Sequence, residues 1–155
     1  MFIWLLFALG ATQNDKLEAL PLWFQGGHSI GSQGNGTVYS IDVLGNEKVL
    51  YSFAGPPDGS GPFGNPDLLN VNGTLYGTTH DGGTPHEGTV FTVTTSGQEA
   101  VLYDFKGHPD GAAPRSGLID VKGTLYGTTF YGGAYTGECR SSVGCGTVFS
   151  IIPRR

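Results

Sequence analysis

The chain has 155 residues, of which 27 are Gly, 12% are aromatic and only 14% are charged, with a formal net charge of −5. That balance excludes a disordered tail and describes a single turn-rich β domain with enough rings for a core. The eight Lys and Arg are scattered, so no basic stripe exists to displace counterions, and sequence-independent nucleic-acid binding is set aside.

The chain opens on an apolar run, Met1–Ala11. A helix needs about 20 residues to cross a bilayer, so the run predicts no transmembrane segment. It has the length of a signal-peptide core, with small residues at Ala8 and Gly10, although no Lys or Arg precedes it; a mis-assigned start is the alternative. Asp15–Ala19 hints briefly at helix, and Leu20–Phe24 reads as a degenerate strand. Then come the paired glycines Gly26-Gly27 and two predicted strands, Thr37–Val43 and Lys48–Phe53, joined through Leu44-Gly45-Asn46.

Pro57-Asp58-Gly59 reads as a turn: Pro fixes φ, Asp bonds nearby N–H groups and Gly takes positive φ. Strand Leu68–Val71 follows. Asn72-Gly73 then predicts a type I′ hairpin, because both central residues of that turn need positive φ. Strand Thr74–Thr79 leads to a second glycine pair, Gly82-Gly83. Thr89–Thr95 and Glu99–Phe105 are the next strands, hinged at Ser96-Gly97. Pro109-Asp110-Gly111 repeats the earlier turn. Leu118–Val121, the turn at Lys122-Gly123, Thr124–Thr129, Gly132-Gly133 and Thr147–Ile152 complete the series.

Taken together the elements repeat. Gly-Thr-Leu-Tyr-Gly-Thr-Thr occurs at Gly73–Thr79 and at Gly123–Thr129, 50 residues apart. Gly36-Thr37-Val38-Tyr39 returns at Gly88 and Gly146, and Leu50-Tyr51-Ser52-Phe53 returns at Leu102–Phe105. Length differences collect after the glycine pairs, which marks those segments as loops. The units are residues 12–35 (degenerate), 36–67 (half), 68–117 (full) and 118–155 (truncated), within one domain. The fold class is therefore all-β, built from antiparallel four-stranded repeats of about 50 residues, the period and composition of a kelch-like β-propeller blade. A three-lobed β-trefoil is the alternative. Tyr76, Phe91, Tyr103, Phe105, Tyr126 and Phe149 are the expected packing set. Gly73, Gly77, Gly82, Gly83, Gly88, Gly123, Gly127, Gly132, Gly133 and Gly146 are frame positions.

A propeller closes with about four to eight blades. The few units here predict a fragment of a longer array, closure by homo-oligomerisation through open edges, or a different fold.

The run Leu118…Gly123-Thr124-Leu125-Tyr126-Gly127-Thr128-Thr129…Gly132-Gly133…Gly146-Thr147-Val148-Phe149, with its Asp110-Gly111…Pro114…Gly117-Leu118 connection, closely resembles the GloVer tandem repeat family. The resemblance covers roughly Gly26 to Ile152. It implies an extracellular or surface-displayed bacterial protein and carries no catalytic residue to transfer. The paired glycines also look like the kelch doublet, but Tyr103 and Phe105 stand where a kelch repeat places Trp. Unlike the family's anchored members, the chain ends at Pro153-Arg154-Arg155.

Chemistry-bearing residues outside the frame are few. His80, Asp81, His86 and Glu87 flank Gly82-Gly83-Thr84-Pro85 and have the right types for zinc; neutral drift in a surface loop gives the same pattern, and no metal or cofactor is assigned. Asp58 and Asp110 fit turn chemistry better than calcium. Cys139 and Cys145 lie in the longest glycine loop, where a disulfide would contribute roughly 2 kcal/mol in the chain-entropy model. His108 precedes Pro109 in one copy only. Asn35-Gly36-Thr37 and Asn72-Gly73-Thr74 match the N-glycosylation pattern, but their turns explain them. The expected function is non-enzymatic binding or structural display, through the variable loops, of a protein or glycan ligand. The alternatives are a polysaccharide hydrolase or lyase using Asp81, Glu87 or Glu138, and an inert fragment.

Overall fold

The computed structural model describes residues 22–26, 34–62, 68–134 and 144–153. All regular structure among them is β. In chain order the strands are β1 (Leu22–Gly26), β2 (Thr37–Ile41), β3 (Glu47–Ser52), β4 (Gly59–Ser60), β5 (Leu69–Val71), β6 (Thr74–Thr79), β7 (Asp81–Gly82), β8 (Thr89–Thr94), β9 (Glu99–Asp104), β10 (Gly111–Pro114), β11 (Ile119–Val121), β12 (Thr124–Gly132) and β13 (Val148–Ile151). The hint of helix at Asp15–Ala19 and the apolar start lie outside the described residues. No helix among those described is long and apolar enough to cross a membrane.

Three antiparallel sheets follow the repeat. Sheet I is β1-β2-β3, sheet II is β5-β6-β8-β9, and sheet III sets β12 between β11 and β13. The hairpins form for the reasons the sequence gives. Asn72 and Gly73 have φ of 52° and 84°, and Lys122 and Gly123 have 55° and 85°, the positive pair that a type I′ turn needs. Side-chain oxygens brace both turns: Gly73 N–H donates to Asn70 Oδ1 and Gly123 N–H to Asp120 Oδ1. The Asp42–Asn46 and Thr94–Gln98 connections also share one geometry, closed by Gly45 N–H to the Asp42 carbonyl and Gly97 N–H to the Thr94 carbonyl.

The sheets stack face to face and bury one core at each seam. Val38, Phe53, Leu68, Leu75, Phe91 and Val93 fill the seam between sheets I and II. Val90, Phe105, Leu118 and Leu125, joined by the partly buried Phe149 and Ile151, fill the seam between II and III. These are the same repeat positions used twice. Phe53 meets Phe91 edge-on at 5.0 Å, and Phe105 meets Phe149 edge-on at 5.0 Å. Each sheet thus buries its apolar face only by having a neighbour, the logic of repeat architectures. A β-trefoil would close its strands into a barrel; among the described residues the sheets stack and no barrel closes.

Short strands that the sequence does not announce tie each unit to the next. β4, which follows sheet I, pairs with β7 of the second unit through Gly59↔Gly82 and Ser60↔Asp81. β10 pairs with the far end of β12 through Gly111↔Gly132, Ala112↔Tyr131 and Pro114↔Thr129. The recurring Asp-Gly and Gly-Gly motifs are therefore the two halves of one junction.

One member of the expected packing set differs from its counterpart. Tyr76 is half-buried, whereas Tyr126 is exposed, because no described sheet lies beyond sheet III.

Candidate functional site

Two kinds of polar cluster occur, one belonging to the frame and one not. The frame cluster is a tyrosine–aspartate clamp. Tyr51 O–H donates to Asp58 Oδ2 at 2.9 Å, and Tyr103 O–H donates to Asp110 Oδ2 at 2.9 Å. The same carboxylates accept from Ala54 N–H and Lys106 N–H four residues upstream. Burial first, and then the aspartate partner, push both tyrosines above the usual phenol range. Repetition in two units marks this as structure that holds the turn. The aspartate part of the turn reading accounts for these contacts, whereas Gly59 and Gly111 do not take positive φ but open β4 and β10, where a Cβ would meet the Thr79 and Thr129 side chains.

Glu99, at the start of β9, adds a third group to the first clamp. Burial, and then the charge of Asp58, push its carboxyl up to about 7, with the Tyr51 hydroxyl pulling the other way. An acid with its folded pKa above its unfolded one takes up a proton on folding, so stability is highest below the unfolded pKa. It falls as pH rises through the window from the normal glutamate value of about 4.5 to about 7. Because Glu99 is only half-buried, the loss is discounted for solvent screening to about 1–2 kcal/mol. Glu99→Gln should remove it. The melting temperature of the wild type should drop between pH 5 and pH 8 and that of the variant should not; an equal drop in both would refute the assignment.

The non-repeated cluster lies where β6, β10 and β12 come together, at the seam of sheets II and III. Arg115, just past β10, is exposed. Its guanidinium sits 4.5 Å from the centre of the Phe130 ring. Its Nη2 lies 3.1 Å from His80 Nε2. Arginine only donates, so Nε2 accepts, while Nδ1 lies 2.9 Å from Asp81 Oδ1. Phe130 is 51% exposed and packs edge-on against Tyr131 at 4.7 Å. At the corresponding places one unit earlier the sequence has His80 for Phe130 and Phe63 for Arg115. The frame is kept and the chemistry is not.

This placement redistributes the candidate residues. His80 and Asp81 are together, but both nitrogens of His80 face a partner. His86 is exposed with φ of 66°, and Glu87 is half-buried with its carboxylate beside Gly107. Among the described residues no group of three or more His, Cys, Asp or Glu is placed to hold a metal ion. His108 Nδ1 lies 2.8 Å from the Gly133 carbonyl oxygen, tying the turn to the glycine pair. Cys139 and Glu138 lie outside the described residues, and Cys145 is exposed. Sequence reasoning missed Arg115 and Phe130. The one available signal was that positions 130 and 131 change type between units, His80-Asp81 against Phe130-Tyr131, while the flanking Thr129 and Gly132 do not.

The family model for the Gloeobacter/Verrucomicrobia repeat matches residues 24–155. The chain belongs to that repeat family, as the Gly-Thr-Leu-Tyr-Gly-Thr-Thr motif implies. No curated protein and no solved structure matches it.

Proposed function

We propose that this Gloeobacter/Verrucomicrobia repeat protein is a non-enzymatic binding module displayed outside the cell. In this reading its stacked sheets form part of a kelch-like propeller, and Arg115 and Phe130 form the ligand platform. The observation that carries the reading is an exposed arginine stacked on an exposed ring at positions that vary on an otherwise repeated frame. Recognition usually sits where a rigid scaffold presents variable residues.

The chemistry selects the ligand class. A planar guanidinium takes carboxylate oxygens in pairs, and stacking on a ring pre-organises it. The uncovered part of Phe130, with the ring of Tyr131 standing edge-on beside it, offers an apolar surface for a sugar to pack against. The ligand proposed is a carboxylate-bearing glycan. His80 and Asp81 act as positioning residues that hold the guanidinium in place.

The test is binding to an array of uronate-containing oligosaccharides. Arg115→Ala and Phe130→Ala should each weaken capture by about tenfold or more, a loss of about 1.4 kcal/mol, with the melting temperature unchanged because both side chains are at the surface. Capture that survives both substitutions would remove the platform from consideration. Capture of neutral glycans alone would overturn the carboxylate assignment.

A further inference from the structure

Sheet III and its seam with sheet II leave open three places that are filled in the units before, and one segment accounts for all three. The first is a bare edge. β2 is flanked on its far side by β3, and β8 by β9, but among the described residues β13 pairs only with β12. Val148 is 72% exposed on the face that, at Val38 and Val90, meets the next sheet. Val148, Phe149, Ser150 and Ile151 carry no charge, although sheets normally blunt an open edge with Lys, Pro or an inward charge.

The second feature is a groove of about 490 Å³ between sheets II and III, whose lining includes Tyr76, Leu102, Gly123, Leu125 and Pro153. At the same point of the seam between I and II the Thr94–Gln98 hairpin lies against Leu50, the counterpart of Leu102. A Cβ on Gly97 would lie 2.6 Å from the Leu50 carbonyl oxygen. The third feature is the second clamp. Tyr103 and Asp110 are paired and occupy the positions of Tyr51 and Asp58, against which Glu99 packs.

In the first seam a single stretch, Gly97-Gln98-Glu99-Ala100-Val101-Leu102-Tyr103, supplies the turn, the acid and the flanking strand. Its pattern Gly-x-Glu-x-Val-Leu-Tyr recurs at Gly45–Tyr51. We propose that the β13 edge is a receptor for a donor strand of this same pattern, carried by a further repeat unit, which pairs with Val148–Ile151, seats its glycine turn in the groove at Leu102 and brings its glutamate to the Tyr103–Asp110 clamp. This is strand addition to an open sheet edge, in which main-chain bonds give affinity and side-chain pockets give selectivity. The established register sets the alignment: Val90↔Tyr103, Phe91↔Val101 and Val93↔Glu99 predict Val148, Phe149 and Ile151 opposite the donor's Tyr, Val and Glu. The proposal stands apart from the glycan platform, which lies at the β12 end near Phe130.

A labelled peptide with the sequence of residues 94–106, titrated into the full chain and followed by fluorescence anisotropy, tests it. Saturable binding is expected, together with new hydrogen-exchange protection at the amides of Val148–Ile151. Replacing the peptide's Val101 by Pro, or Val148→Lys in the chain, should weaken binding by about tenfold or more. Val148 is exposed, so its variant should melt like the wild type, and that is checked first. No binding, or binding that a scrambled peptide matches or that Val148→Lys leaves intact, would overturn the proposal.

Discussion

Phe53→Ala and Phe105→Ala will each lower the unfolding free energy by about 3–5 kcal/mol, the usual cost of truncating a buried phenylalanine. Both side chains are fully buried. Each contacts the tyrosine two residues before it edge-on at 5.3 Å and a phenylalanine of the next sheet at 5.0 Å. Whole domains are stable by only about 5–15 kcal/mol, so either change removes a large share. The two should differ in where the loss appears. The clusters around Phe53 and Phe105 share no residue, and stacked repeats are stable by nearest-neighbour terms. Phe53→Ala should therefore speed hydrogen exchange first in β2 and β3 while β11–β13 keep their protection. Phe105→Ala should do the reverse, loosening sheet III and sparing sheet I. A uniform loss across all three sheets in both variants would mean that the array unfolds as one unit and that the seams are not separable.

The long strands were legible because their signals are local. Type I′ turns at Asn72-Gly73 and Lys122-Gly123 declare themselves in two residues, and Thr, Val, Tyr and Phe fill the strands between them. The junction strands β4, β7 and β10 were not legible. Gly59-Ser60, Asp81-Gly82 and Gly111–Pro114 have no β-forming side chains to read, and their pairing comes from how one unit docks on the next. The tyrosine–aspartate clamp was half visible: Asp58 and Asp110 read as turn residues, but Tyr103 read only as core and Tyr51 only as part of a recurring motif. Arg115 and His80 are 35 residues apart, so nothing in the spacing joins them. The glycine-loop histidines drew the metal reading because they are close in sequence, whereas the exposed chemistry was assembled across a seam.

Gly82→Ala will cost about 3 kcal/mol or more, against about 1 kcal/mol for Gly73→Ala, although the two glycines have nearly the same backbone conformation. Their φ values are 86° and 84°, so the strain of placing an L side chain in the left-handed region is common to both. Their surroundings are not. A Cβ at Gly73 meets nothing within 4 Å, whereas at Gly82 it would lie 2.6 Å from Ser60 N and 2.7 Å from the carbonyl carbon of Gly59. These are main-chain atoms of β4 and cannot rotate away. Relieving the clash means opening the β4–β7 pairing and with it the bond from Gly83 N–H to the Asp58 carbonyl. The same contrast should hold one unit later between Gly132 and Gly123. Chemical denaturation of the four alanine variants measures it, and equal costs at turn and junction would show that conformation alone, and not close approach, fixes these glycines. If the contrast holds, the paired glycines are docking surfaces between units. The loops that follow them are then anchored at their base by the preceding unit, which leaves their remaining residues free to vary in length and chemistry without loosening the frame.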